Sequence, residues 1–457
     1  MIGSYAFPTI GGLAADLRSR HVSAREIART MLERLERSGP PLNAIAMLTA
    51  DRAIADAGRA DRRLARGRAS PLTGIPYGAK DLIAAAGCGD VGYGGDAEVV
   101  ARLGRAGAVL TAKLAVENAG GGWSKLAAMA LAGEDGPRAG PRDYGRNPWD
   151  PARWSGGSSS GSAIAVAAGL LPFSLGAETS GSVVGPAALC GLTALRPTYG
   201  AVSAAGVMPE AHSMDKVGIF AWTADDCALV YRAIAPRFRP RGHGDATVLA
   251  DVRLGFAEED FMGAFAAALS ELGALIAHRA RAVIPALPYG ALVNVVLGCE
   301  GATDHAAVIA SDRLERLMRP RQLAGLRAAL TTTAREYIEA MRAREVIREE
   351  FERLFRSVDV IVAPTQRRVA PLLAELDAPR RTDAEAIGGN AALTAAANLA
   401  GLPGVTVPCG TGEGGLPIGI QLVGPHSSEP LLLTIAAAFQ RATAHHERRP
   451  PVRSSPS

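Results

Sequence analysis

Hydrophobic and polar residues alternate along the chain in two patterns: one has helical spacing, and the other consists of short apolar runs bounded by Gly and Pro. The N-terminal part follows the helical pattern. Ser23-Ala-Arg-Glu26 has the form of a capping box, and apolar residues recur at helical spacing after it. We therefore expect residues 1–70 to form a helical segment that packs on the core.

The range from about 250 to 350 carries long amphipathic patterns. Apolar residues and Arg–Glu pairs recur at helical spacing over 260–277, 311–330 and 333–356. We expect this range to be nearly all helical and to form a cap beside the functional site. The terminal residues 451–457 are predicted to be a disordered tail.

Short apolar runs alternate with further helical patterns over residues 71–450. Strands are predicted within 72–80, 108–111, 358–362, 404–408 and 418–423. Helices are predicted at 163–171, 225–234, 391–399 and 430–443. Residues 119–161, rich in Gly, Ser and Pro, are expected to be mostly loop. Because no long linker interrupts the alternation, the chain is predicted to form one α/β domain with helices covering a largely buried sheet.

The composition excludes several classes of protein. With 48% hydrophobic and 21% charged residues, the chain is expected to be globular. The net charge of +4 comes from scattered residues, so no nucleic-acid partner is expected. Five cysteines without a C-x-x-C pair predict neither disulfides nor a zinc site. Because neither a leader pattern nor a long apolar stretch occurs, we expect a cytoplasmic protein without a membrane span.

Lysine is scarce in this chain. Only four of the 49 basic residues are lysines: Lys80, Lys113, Lys125 and Lys216. One explanation for a lysine retained against this bias is that it has to give up its proton, which Arg does not do. The other explanation is that it was left on the surface by chance. For any single lysine, chance is the better explanation.

The segment Trp154-Ser-Gly-Gly-Ser-Ser-Ser-Gly-Ser162 has several interpretations. The apolar helix predicted after it disfavours a flexible linker. An anion-binding loop is an alternative, but the Gly-Lys-Ser/Thr ending of a P-loop is missing. The segment also matches a G-x-S-x-G nucleophile elbow centred on Ser159. That elbow should follow a hydrophobic strand, which Pro148 and Pro151 disfavour, and it needs a histidine, for which the candidates are His426, His445 and His446.

A second segment, Gly176-Ala-Glu-Thr-Ser-Gly-Ser-Val-Val-Gly-Pro186, follows a mostly apolar run. Gly181 would permit a tight turn that exposes the hydroxyl of Ser182. The backbone N–H groups over Thr179–Ser182 would then converge on one anion, as an oxyanion hole requires. Taken alone, the segment is better explained as an ordinary Ser/Gly turn.

Together these segments resemble the amidase signature family. Gly74-Ile-Pro-Tyr-Gly-Ala-Lys-Asp81 is similar to the family's G-x-P-x-x-x-K-D, and Gly156–Ser162 resembles its G-G-S-S-G-G-S. Ser182 matches the nucleophile of its D-T-G-G-S segment, 24 residues after Ser158 as in the family. The resemblance continues through 190–200, 213–218, 358–364 and 415–422. It implies a single catalytic domain over 71–450, with a central mixed β-sheet covered by helices on both faces.

The family's mechanism can be carried to the matching positions. Ser182 would attack an amide carbonyl, Ser158 would relay the proton, and Lys80 would be the base. In the family the peptide bond before the relay serine is cis. Lysine has an ordinary pKa of about 10.4, so a neutral amine requires burial. The resemblance implies that neither a metal nor a cofactor takes part, and that the oxyanion hole consists of the N–H groups of Thr179, Ser180, Gly181 and Ser182.

Several positions depart from the family's pattern. Glu178 stands where Asp is usual, Ser180 where Gly is usual, and Val184 where Arg is common. We expect these differences to reshape the wall of the pocket without touching the triad. Residues 117–122 align with the part of the family that lines the acyl pocket, and Gly121 is predicted to contact substrate.

The sequence therefore predicts an amidase that hydrolyses a small-molecule carboxamide through an acyl-enzyme. The resemblance is compatible with a homodimer and leaves the oligomeric state open. The related alternative is an acyltransferase or amide-forming enzyme with the same triad. Three alternatives rank lower. The missing Arg at position 184 argues against an amidotransferase A subunit, the prolines argue against an esterase at Ser159, and the intact triad argues against a non-catalytic scaffold.

Overall fold

The protein is described here by a computed structural model that covers residues 6–88, 93–116, 144–236, 246–309, 327, 329–376 and 392–451. The strands are β1 (Ile45–Leu48), β2 (Pro76–Lys80), β3 (Val109–Leu114), β4 (Arg146–Asn147), β5 (Asp150–Trp154), β6 (Phe173–Glu178), β7 (Thr193–Arg196), β8 (Lys216–Ala221), β9 (Arg253–Phe256), β10 (His278–Arg281), β11 (Val360–Pro364), β12 (Gly404–Thr411) and β13 (Pro417–Val423). The helices are α1 (Ile10–Ser19), α2 (Ala24–Ser38), α3 (Ala50–Ala65), α4 (Glu98–Ala106), α5 (Ser160–Ala167), α6 (Val184–Cys190), α7 (Ala224–Ile234), α8 (Ala266–Leu275), α9 (Tyr289–Asp304), α10 (Ala306–Ile309), α11 (Ala334–Leu354), α12 (Leu393–Ala400) and α13 (Glu429–Thr443).

One mixed sheet of eleven strands organises the fold, in the order β1-β3-β2-β6-β8-β7-β12-β13-β11-β9-β10. β2 runs parallel to both β3 and β6, and β9 runs parallel to β10 and β11. The other pairs in the sheet are antiparallel. β4 and β5 form a separate two-stranded ribbon. This single α/β domain with a central mixed sheet confirms the predicted fold class.

Helices cover both faces of the sheet because successive side chains of a buried strand point to opposite sides. In β11, Val360 and Val362 belong to the large apolar cluster that contains residues of α1, α2, α7 and α13. Ile361 and Ala363 belong instead to a second cluster, built with residues of α9, α11 and α12. β11 is therefore apolar on both faces, which is why it appears in the sequence as a continuous apolar run.

Two parts of the chain contain strands where the sequence predicts other structure. β1 lies within the N-terminal 70 residues, which are otherwise helical, and it pairs with β3. The ribbon of β4 and β5 lies in the range predicted to be loop. β1 is defined by a partner about 65 residues away rather than by its own pattern, whereas β4 and β5 pair locally with each other.

The range 250–350 is not nearly all helical, because β9 and β10 extend the main sheet there. The sequence of β10, His278-Arg-Ala-Arg281, is polar, which suits an edge strand whose side chains are mostly exposed. Most of the predicted helix at 311–330 and nearly all of the predicted tail lie outside the described residues. None of the helices described is both long and apolar enough to cross a membrane.

Candidate active site

Two neighbouring parallel strands place the candidate residues at one edge of the sheet. β2 ends at Lys80 and β6 ends at Glu178, and Ala79 lies opposite Leu175 in the register between them. Because the strands are parallel, their carboxyl ends meet at the same edge. The segment Thr179–Val183, which connects β6 to α6, therefore begins beside Lys80.

The Gly- and Ser-rich segment leads into α5, which lies against the same two strands. Ser162 Oγ donates to the carbonyl of Leu175 at 2.9 Å, and the N–H of Gly161 donates to the carbonyl of Ala115 at 3.0 Å. A side chain at Gly161 would collide with the backbone of Ala44 and Ala115. The small residues of this motif therefore allow a close approach of the helix to the sheet.

Lys80 is 1% exposed, and its amine contacts Ser158. Lys80 Nζ lies 2.7 Å from Ser158 Oγ and donates to the carbonyl of Ala177 at 3.2 Å. Burial lowers the pKa of Lys80 to about 8, although the carboxylates of Glu210 and Asp215, among others, act in the opposite direction. The peptide bond between Gly157 and Ser158 is cis, as the resemblance implies. The structure thus brings together two members of the predicted triad.

Ser159, the alternative nucleophile, is fully buried. Its hydroxyl donates to the carbonyl of Ala177 at 3.1 Å and accepts from the N–H of the same residue at 3.3 Å. Two of the histidines that an elbow would require have other partners, since His426 bonds the carbonyl of Ala400 and His445 bonds Glu271. A hydroxyl held in this way is not placed to attack a substrate, so the structure disfavours the elbow.

The segment Thr179–Val183, which contains the predicted nucleophile Ser182, directly follows β6. Gly181 has a φ of +127°, a conformation that favours glycine, and Ser182 is partly exposed. In the part of the chain that the structure describes, Ser182 Oγ has no hydrogen bond to Ser158 or Lys80. Four backbone N–H groups also have no acceptor among the described residues, namely those of Thr179, Ser180, Gly181 and Ser182. The roles of these residues stay predictions.

Glu178 holds the C-terminal end of the segment Thr179–Val183 in place. Its carboxylate is fully buried and accepts from the N–H groups of Val183 at 2.7 Å and Val184 at 2.9 Å, at the start of α6. It also accepts from Arg196 Nη1 at 3.1 Å and Asn398 Nδ2 at 2.8 Å. Glu178 and Val184 are therefore fully buried, and their influence on the wall of the pocket stays a prediction.

The charges of Glu178 and Arg196 compensate each other. Burial alone would raise the pKa of the Glu178 carboxyl, but the Arg196 guanidinium and the hydrogen bonds from Asn398 and Val184 outweigh it and hold the pKa below its ordinary value. Arg196 is also fully buried, and its Nε donates to the carbonyl of Leu402 at 3.1 Å. A side chain at Gly404 would collide with the guanidinium. The ion pair is therefore built into the interior beside the site.

The lysines that the structure describes are all buried near this edge of the sheet. Lys80, Lys113 and Lys216 are each at most 2% exposed. Lys113 Nζ donates to the carbonyl of Asp81 at 3.0 Å, and Lys216 Nζ donates to that of Met214. Burial, followed by repulsion from Arg196, lowers the pKa of Lys216 to about 7. These three lysines were therefore not left on the surface by chance. The bias against lysine singles out all three buried amines, and not Lys80 alone.

Two predictions concern the ligands of the site. Gly121 and the rest of the loop 117–122 lie outside the described residues, so the predicted substrate contact stays a prediction. Within the described ranges, no three His, Cys, Asp or Glu side chains are placed together to hold a metal ion. That the reaction needs no cofactor is likewise a prediction from the sequence.

This combination of sheet, lysine and serine-rich segments defines a class of amide-cleaving enzymes. The family described as Amidase matches residues 26–248 and 275–433 of the chain. The glutamyl-tRNA(Gln) amidotransferase A subunit of Methylococcus capsulatus is 36% identical, over 97% of this chain and 98% of that protein. Its counterpart in Roseiflexus castenholzii is 35% identical, over 95% and 96%.

Solved structures give the same classification. The peptide amidase of Stenotrophomonas maltophilia is 28% identical with a TM-score of 0.80, covering 98% of this chain and 99% of that one. A protein of a vestigial complex that reveals the origins of an s-triazine catabolic enzyme is 29% identical with a TM-score of 0.81, over 95% and 98%. The chain therefore belongs to the amidase signature family, as the sequence motifs predict, and it is an enzyme of that family.

The buried ion pair yields a prediction about stability. Glu178→Gln removes the negative charge and leaves the Arg196 guanidinium buried without its partner. We expect the free energy of unfolding to fall by about 3–5 kcal/mol, measured by denaturant titration near pH 7. The exposed Glu33 provides a control, since Glu33→Gln should change the free energy of unfolding by less than about 0.5 kcal/mol.

The pH dependence checks the same ion pair. Because the folded pKa of Glu178 lies below the unfolded value, its contribution to stability is present above about pH 4.3 and is lost as the pH falls through the folded pKa. Glu178→Gln should lack this part of the acid destabilisation. Equal stability of this variant and the wild type would contradict the assignment.

Proposed function

We propose that this enzyme hydrolyses a carboxamide through an acyl-enzyme on Ser182, with Ser158 relaying protons to a neutral Lys80. The observation that carries the proposal is the 2.7 Å contact between Ser158 Oγ and the amine of a lysine that is 1% exposed. A lysine with a pKa of about 8 has an appreciable neutral fraction near pH 7 and can accept a proton. Arginine could not take this role.

In the proposed reaction these groups act in sequence. Ser182 Oγ attacks the carbonyl carbon while its proton passes through Ser158 to Lys80. The backbone N–H groups of residues 179–182, which have no acceptor among the described residues, hold the oxygen that becomes negative. The C–N bond then breaks, and the proton held on Lys80 passes back through Ser158 to the leaving amine. Water attacks the Ser182 ester by the same route and releases the acid.

An amidotransferase component is the second candidate, favoured by one specific observation. The chain is 36% identical to such a protein from Methylococcus capsulatus over nearly its full length. Val184 is fully buried at the start of α6. The Arg that is common at this position in the family is missing, and this remains the argument against the candidate. In that function, the enzyme would release ammonia from a primary amide and pass it to a partner.

Labelling of the nucleophile tests the proposal directly. A fluorophosphonate reacts with activated serines, so we expect the wild-type protein to be labelled and Ser182→Ala to be unlabelled. Ser159→Ala, in the adjacent segment, should still be labelled, because among the described residues the Ser159 hydroxyl bonds to the backbone of Ala177 alone. Mass spectrometry of the labelled peptide identifies the residue. Label on Ser159, or equal labelling of Ser182→Ala, would overturn the assignment.

The pH profile tests the role of Lys80. Because the neutral amine is the active form, kcat/KM should rise about tenfold per pH unit below pH 8 and level off above it. Lys80→Ala should lower kcat/KM by about 10²–10⁴-fold or more. Lys80→Arg keeps the positive charge but cannot supply a neutral base, so it should be as inactive as Lys80→Ala. Substantial turnover by either variant would contradict the proposed base.

Analysis of the products separates hydrolysis, acyl transfer and amidotransfer. We expect the isolated enzyme to release free acid from simple carboxamides, whether or not hydroxylamine is present. If hydroxamate replaced the acid on addition of hydroxylamine, the enzyme would be an acyltransferase. If L-glutamine were cleaved far faster than the other primary amides, the amidotransferase candidate would be preferred.

A further inference from the structure

The residues Pro209–Lys216, called here the bridge segment, contact the proposed oxyanion hole. Asp215 in this segment accepts a hydrogen bond from the hydroxyl of Thr179, with Thr179 Oγ1 at 2.5 Å from Asp215 Oδ1. Its other oxygen, Oδ2, accepts from the N–H groups of Glu210 at 2.7 Å and Ala211 at 3.0 Å. Both carboxylate oxygens thus have partners, and these fix the orientation of the carboxylate.

The bridge segment is itself held by two helices. Ser213 donates to Glu300 of α9 through its N–H at 2.8 Å and through its hydroxyl at 2.6 Å. Arg344 of α11 donates to the hydroxyl of Ser213 at 2.5 Å and to its carbonyl at 2.9 Å. Tyr337 donates to the same Glu300 carboxylate at 2.9 Å. The chain two residues before Asp215 is therefore fixed in position.

These contacts, together with those of Glu178, hold the segment Thr179–Ser182 on both sides. At its start, the side chain of Thr179 is 6% exposed and bonded to Asp215. Beyond its end, the N–H groups of Val183 and Val184 are bonded to Glu178. The N–H groups that have no acceptor among the described residues lie between the two attachments. A short segment fixed in this way keeps its donors aimed without reorganisation during the reaction.

We propose that Asp215 is a positioning residue for the oxyanion hole and that it acts through the hydroxyl of Thr179. The proposal rests on the proposed function, because it assumes that the N–H groups of residues 179–182 stabilise the transition state. Asp215 does not touch the substrate. Losing one donor of an oxyanion hole lowers kcat by about 10²–10³-fold, and a misaimed donor should have a smaller effect.

Threonine 179 offers an isosteric test. Thr179→Val keeps the shape and removes the hydroxyl, whereas Thr179→Ser keeps the hydroxyl. We expect the valine variant to lower kcat about 10–100-fold for a primary carboxamide such as benzamide or propionamide, with KM within about threefold of wild type. The rate constant for fluorophosphonate labelling should fall by a similar factor, since the phosphoryl oxygen occupies the same hole. Serine should recover most of the lost rate.

A matched variant controls for the loss of a hydrogen bond elsewhere. Thr223 Oγ1 accepts from the N–H of Asp226 at 3.0 Å and caps α7, away from the site. Thr223→Val should lower the free energy of unfolding as much as or more than Thr179→Val, and leave kcat and the labelling rate unchanged. Asp215→Asn should slow the reaction too, and adding Thr179→Val to it should have little further effect, because both remove one interaction.

The outcomes separate this proposal from the proposed function. If Ser182→Ala is labelled like the wild type, the proposed function fails. If Ser182→Ala is unlabelled but Thr179→Val reacts at the wild-type rate, the positioning role of Asp215 is wrong while the proposed function stands. An equal loss in Thr179→Val and Thr179→Ser, or a rise in KM without a fall in kcat, would also contradict it.

Discussion

The burial of one amine is the physical constraint at the centre of the candidate active site. Lys80 ends a central strand, where almost no water reaches it, and its Nζ contacts Ser158 and the carbonyl of Ala177. Burial disfavours the ammonium, and this brings the pKa to about 8. The close approach at Gly161 lets the helix that follows Ser158 pack against the chain beside this strand.

The surrounding charges limit how far that pKa can fall. Asp215 and Glu178 both favour the ammonium of Lys80 and so oppose the effect of its burial. The charge of Glu178 is compensated by Arg196 at 3.1 Å. Burial raises the pKa of the Asp215 carboxyl, while its hydrogen bonds from Thr179, Glu210 and Ala211 act in the opposite direction. The same two carboxylates bond the ends of the segment that carries Ser182. The groups that orient this segment therefore also raise the pKa of Lys80, and burial must outweigh them.

The sequence predicts the local features of this protein better than its long-range ones. The capping box at Ser23 and Glu26, the five predicted strands and the fold class are confirmed. β1 and β10 could not be predicted, since their patterns are weak and their partners supply the pairing. The contact of Lys80 with Ser158 follows from motifs that the chain shares with its family. The bond between Thr179 and Asp215 joins residues 36 positions apart, and neither segment shows by itself that the other is its partner.

The role of Glu178 shows why a substitution within a motif cannot be interpreted from the motif alone. A carboxylate next to a serine-rich turn suggests a group on the pocket wall. In the fold it is the residue on which two helix amides, a guanidinium and a side-chain amide converge. Arg196 approaches from β7, and Gly404 on the neighbouring β12 leaves room for its guanidinium. The charge partner of this carboxylate is thus set by packing between strands. It supports the start of α6 and so the end of the segment that carries Ser182.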